Sequence, residues 1–225
     1  MSAGYPIGMS AAKTTTDPKQ LARRLVKLAG TTYAQQAGIS VKNTPQTLFQ
    51  LLVLCMLASK PISGEIAATA AKELFAAGFR STDAVLRADR SDFIRAFGRA
   101  HYVRYDESSA TRLVDIARHV NDTYGGDLRR LGEDSGHDVA AAKRLLKEFN
   151  GIGETGADIF LREVQDTWTW ARPYFDDRAL QAAGKLGLPA DPDELASLTR
   201  KSCAQLAAAL IRTGLDGDIR RQVTS

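Results

Sequence analysis

The chain has 225 residues, 30 lysines and arginines against 26 aspartates and glutamates, and a formal charge of +4. That length can bury a proper core in one domain or two interlocked halves, and the small basic excess permits a polyanionic partner without demanding one. Two unclustered cysteines, Cys55 and Cys203, exclude an iron–sulfur cluster, a structural zinc and a disulfide framework, and His101, His119 and His137 lack metal-ligand spacing.

Residues 1–16 are small, polar and Gly/Pro-containing, the composition of a flexible N-terminus, and no basic n-region or apolar h-region marks a leader. A first helix is predicted from Asp17-Pro18, a cap followed by proline at the first helical position, with Leu21, Leu25, Val26 and Leu28 on its apolar side. Thr44-Pro45 repeats the signal before Leu48, Leu51, Leu52, Leu54, Cys55 and Leu57, a helix apolar nearly all round and therefore central. Its run from Phe49 to Ala58 is about half of the ~20 residues a membrane span needs, so a soluble cytoplasmic protein is expected.

Ser63 starts a helix over Glu65–Phe79 that Gly78 ends, and short helices at Ser81–Arg87 and Ser91–Phe97 lead to a turn at Gly98. A longer helix over Tyr105–Tyr124 stops at Gly125-Gly126, and another covers Val139–Phe149. After a glycine hairpin come helices over Glu154–Val164, Asp176–Leu186 and Leu198–Thr213. No β-alternation, internal repeat or heptad interrupts this pattern, so the fold class is all-α.

The hairpin reads Phe149-Asn150-Gly151-Ile152-Gly153-Glu154-Thr155-Gly156-Ala157. Glycines there permit positive φ and close backbone approach, and the amides opening the next helix are donors suited to an anion such as a phosphate. The same glycines also suit a plain tight turn between helices. Further on, Pro173-Tyr174-Phe175-Asp176-Asp177-Arg178 sets an acidic doublet before a helical segment. Taken singly, Asp176 is a good N-cap.

Read in register, the two segments resemble the helix-hairpin-helix DNA glycosylases, the superfamily that includes endonuclease III. Its hairpin runs Leu-x-Gly-(Val/Ile)-Gly and its acid lies in a Pro-x-x-Val-Asp segment ending Leu-Gly-Leu, as Leu186-Gly187-Leu188 does here. The similarity reaches back through Leu51–Lys60 and Ala110–Asp127, and so spans about Thr44 to Leu188. It implies two helical subdomains with a DNA-binding cleft between them. One is a six-helix barrel over 43–168 carrying the helix-hairpin-helix at about 139–164; the other joins 17–42 to 169–225.

The resemblance further implies base flipping and hydrolysis of an N-glycosidic bond in double-stranded DNA by a monomer, with Asp176, or else Asp177, as the catalytic acid. It assigns Gly151, Ile152, Gly153, Thr155 and Gly156 to holding DNA, and makes Lys60, Arg104 and Arg178 candidate contacts. No cofactor is implied, a monovalent cation at the hairpin being the one addition it allows. Members that also cut the backbone carry a lysine where this chain has Thr155, which has no amine for an imine, so weak or absent lyase activity is expected. Lys60 stands where those enzymes often have glutamine, and Asp177-Arg178 replaces a Thr-His pair. Those departures keep open a non-catalytic protein that binds damaged or distorted DNA, and a helical protein-interaction module. Trp168, Trp170, Tyr174 and Phe175 could stack on a flipped base or simply pack the loop.

Overall fold

The structure is a computed structural model that describes residues 17–199 and 202–224, so the expected flexible segment 1–16 lies outside it. Every described regular element is helical, in agreement with the all-α expectation. In chain order the α-helices are α1 (Pro18–Ala29), α2 (Tyr33–Gln36), α3 (Pro45–Ala58), α4 (Gly64–Ala76), α5 (Thr82–Leu86), α6 (Arg90–Arg99) and α7 (Asp106–Tyr124). They continue as α8 (Arg129–Asp134), α9 (Val139–Leu146), α10 (Glu154–Val164), α11 (Asp177–Lys185), α12 (Pro192–Ser197), α13 (Cys203–Leu215) and α14 (Gly217–Thr224). None is long and apolar enough to cross a membrane.

The start and stop signals act where the sequence carries them. Asp17 accepts from the Lys19 amide ahead of Pro18, and Thr44 accepts from the Thr47 amide ahead of Pro45. Such a cap stabilises a helix by about 0.5–2 kcal/mol. At the other end of α7, Gly125 and Gly126 take φ of 60° and 80°, and their amides close on the Asn121 and Val120 carbonyls at 3.0 Å each.

Burial divides the helices into two apolar clusters. The larger surrounds α3, whose residues from Leu48 to Leu57 are all buried, and takes in residues between Ala34 and Ala171. The smaller joins Leu21, Ala22, Leu25 and Ala29 of α1 to α11, α13 and the buried residues Leu195 and Val223. Helix α10 touches both groups, packing on α3 and α9 on one side and α13 on the other. Its C-terminal end also ties them together through hydrogen bonds. Glu163 accepts from the Tyr33 and Ala34 amides that open α2, at 3.0 and 2.9 Å, and Asp166 accepts from the Ala204 amide at the start of α13, at 3.1 Å.

Several local expectations differ from the structure. Ala34, Ala37 and Ile39, grouped by sequence with the N-terminal helix, are buried in the larger cluster, because the Gly30 break lets the chain cross over before α2. Leu28 is 47% exposed and is no part of the α1 stripe. Gly98 does not turn the chain but lies inside α6, with open space where a Cβ would stand. The helices α2, α8, α12 and α14 were not anticipated. The first three span only four to six residues, too few to display a helical stripe, and rely on neighbours for stability.

Candidate active site

The hairpin between α9 and α10 is built by two different kinds of glycine. Gly151 has φ of +91°, and a Cβ there would stand 2.7 Å from Cδ of Arg112 on α7, so both backbone and packing require glycine. Gly156 lets α10 approach the end of α3, where a Cβ would meet the Ser59 hydroxyl at 2.5 Å. Gly153 is neither strained nor crowded: its φ is −99° and nothing lies within 4 Å of a Cβ position. Ile152 is buried beneath the turn, its side chain packed into the larger cluster, and it borders the concavity over the hairpin.

Gly153 is the N-cap of α10 and offers no side chain, and the first helical bond runs from the Ala157 amide to its carbonyl at 3.0 Å. The amides of Glu154, Thr155 and Gly156 therefore point out of the helix start with the dipole behind them. The surface concavity over them is about 530 Å³, lined by residues 147–156 together with Ser59 and Lys60. Glu154 would oppose an anion there, but it is held by Lys143 and by Lys147 at 3.0 Å. Asn150 turns its amide to Asp115, Nδ2 donating at 2.7 Å, so a monovalent cation at the hairpin would depend on backbone carbonyls.

Adjoining this concavity is a cleft of about 620 Å³ between the two clusters. Its lining brings together Lys60, Thr155, Asp176 and Arg178, with Tyr33 and Arg162 on one side and Ile211 and Leu215 of α13 on the other. Ser59, Lys60 and Thr155 border both the concavity and the cleft. Arg104 does not line either; it lies over the Tyr105 ring at 5.4 Å, the ring that Lys60 approaches from 6.0 Å. Among the described residues Lys60, Arg104 and Arg178 have no carboxylate partner, unlike Arg90, Arg99 and Arg129.

The doublet separates cleanly. Asp177 is exposed at the first position of α11 and outside the cleft lining. Asp176 is the N-cap, with Oδ1 accepting from the Ala179 amide at 2.9 Å and Oδ2 paired with Arg162. Both side chains of that ion pair are under a tenth exposed, which shields it from solvent. Capping and cleft lining are thus properties of the same residue.

Sequence reasoning missed the partners on α10. Thr155, Asp158, Ile159 and Arg162 recur at helical spacing along the face lining the cleft. The signal was present as polar residues at helical spacing within the predicted Glu154–Val164 helix. Asp158 Oδ1 accepts from the Tyr174 hydroxyl at 2.5 Å and meets Lys143 Nζ at 2.6 Å. Burial, and then the bond to Asp158, pushes the Tyr174 phenol above its ordinary range. Burial alone would lower Lys143, but its bonds to Asp158 and Glu154 outweigh it and hold the ammonium charged. The tryptophans lie elsewhere: Trp168 is buried with Nε1 donating to Asn43 at 3.0 Å, and Trp170 stacks on it at 5.1 Å. Phe175 packs in the smaller cluster.

No family model and no curated protein matches the chain. Among solved structures it is similar to the one titled "Structure of a Trapped Endonuclease III-DNA Covalent Intermediate: Estranged-Adenine Complex". The identity is 14% and the TM-score 0.47, covering 88% of this chain and 86% of that chain.

Proposed function

We propose that the protein is a monofunctional DNA glycosylase of base-excision repair. The observation carrying this reading is the adjacency of an anion-binding helix start and an acid-lined cleft that share Ser59, Lys60 and Thr155. Duplex DNA would rest a phosphate on the α10 amides, with Gly153 leaving the approach open. Unpaired Lys60, Arg104 and Arg178 would add backbone contacts, giving strong salt dependence. A damaged or mispaired nucleotide would rotate into the cleft, at a cost of a few kcal/mol for unstacking. Asp176, fixed by the Ala179 amide, would then hold a negative charge against the cationic sugar that develops as the base departs.

Hydrolysis without strand cutting follows from Thr155, which offers no amine. A specific observation favours a second reading, a non-catalytic binder of damaged or distorted DNA: Arg162 already neutralises Asp176. A panel of lesion-bearing duplexes separates the two. Wild type should release a base from at least one lesion, and Asp176→Asn should slow release by about a hundredfold or more while duplex binding survives. Asp177→Asn should stay near the wild-type rate. Binding with no release from any lesion selects the second reading, and absence of duplex affinity even at low salt rejects both. Borohydride should trap little covalent adduct.

A further inference from the structure

We propose that Asp158 is a second catalytic carboxylate of the cleft, the one that binds and deprotonates the attacking water. The proposal rests on the glycosylase reading above. It arises from an asymmetry between the two acids that line the cleft. Asp176 has one oxygen on the Ala179 amide and the other on the Arg162 guanidinium. Its charge is well placed to act at a distance, but neither oxygen is left without a partner.

Asp158 is arranged differently. Both of its partners, Tyr174 Oη and Lys143 Nζ, meet the same oxygen, Oδ1. Oδ2 has no protein partner among the described residues, and the side chain, 17% exposed, lines the cleft one helical turn from Thr155. Lys143 divides its charge between Asp158 and Glu154, so Asp158 keeps more of its own than a carboxylate with a dedicated cation. A carboxylate steered through one oxygen with the other open is the arrangement a water-activating base needs.

The two acids also sit on successive rungs between the same elements. Tyr174 and Asp176 precede α11, and they meet Asp158 and Arg162 on α10 one turn apart. The roles therefore divide. As the bond between C1′ and the base nitrogen breaks, its electron pair leaves with the base and Asp176 faces the resulting positive charge. Water held on Oδ2 of Asp158 forms the new C1′–O bond, and its proton passes to Asp158. That proton then moves through solvent to the departed base nitrogen, which restores the carboxylate.

Single-turnover base release by the full chain tests this on whichever lesion duplex the wild type accepts. Asp158→Asn should slow release about a hundredfold or more, with duplex affinity within a fewfold of wild type and an unchanged melting temperature. Tyr174→Phe, which leaves Lys143 as the one partner of Oδ1 while keeping the carboxylate, should slow release by about tenfold. Wild-type release rates in Asp158→Asn overturn the proposal and leave the glycosylase reading standing. Should Asp158→Asn fail to fold, a wild-type rate in Tyr174→Phe overturns it instead. If the wild type releases no base at all, the glycosylase reading falls and takes the proposal with it.

Discussion

Gly151 and Gly153 are two residues apart and share one motif, yet they answer to different constraints. Gly151 is fixed by its φ of +91° and by Arg112 beneath it, whereas the fold asks nothing of Gly153. Gly151→Ala should therefore destabilise the protein by ~1–3 kcal/mol, seen as a lowered melting temperature. Gly153→Ala should leave melting within about a degree and instead weaken duplex binding, because the new methyl group occupies the approach to the amides. Equal melting temperatures for the two variants would refute the distinction. Sequence spacing made the hairpin legible but weighed its glycines alike, since a dihedral angle leaves no mark on residue type. The same limit applied to the doublet: Asp176 was legible as a cap, but its partner Arg162 lies fourteen residues earlier on another helix, where spacing gives no sign of the pairing.

Helix α10 concentrates function and structure on a single element. Its first turn presents amides, its middle lines the cleft, and its end holds α2 through Glu163, with Asp166 just beyond it holding α13. Burial raises the Glu163 carboxyl above its ordinary value of 4.5, against the opposing pull of the Ala34 and Tyr33 amides, and burial raises Asp166 likewise. A folded state that holds protons more tightly than the unfolded chain gains stability at low pH. The contribution of Glu163 is thus full below about pH 4.5 and is lost as pH rises through its folded value. Replacing it by glutamine removes the titration. The stability difference between wild type and Glu163→Gln should then shift in the variant's favour from pH 4.5 upward, measured by denaturant unfolding; a difference independent of pH would rule this out. Long helices were legible, α3 from an unbroken apolar run behind the Thr44-Pro45 start and α7 from an apolar stripe ended by Gly125-Gly126. The four-residue α2 was not, since it depends on a carboxylate supplied by Glu163 from 130 residues away.

At the scale of the molecule, the smaller cluster is assembled from segments far apart in sequence. Leu21 and Leu25 pack with α13, and the Arg24 guanidinium donates to the Gln222 carbonyl at 2.6 Å. Removing residues 203–224 should leave α1 without a partner and strip Ile211 and Leu215 from the cleft. The shortened chain should lose duplex-lesion recognition and bind a hydrophobic dye; retained recognition would show that the larger cluster suffices. Length allowed one domain or two interlocked halves, and Ala34 and Ile39 carry no sign in the sequence of the larger cluster they enter.

The position of α13 has a consequence in time. At roughly 5–20 residues per second, the hairpin is synthesised on the order of seconds before α13. For that interval the hairpin can already fold against α3, while the wall carrying Ile211 and Leu215 does not yet exist. On the proposed function, a nascent chain would expose the α10 amides before it owns the α13 wall of the place that receives a nucleotide.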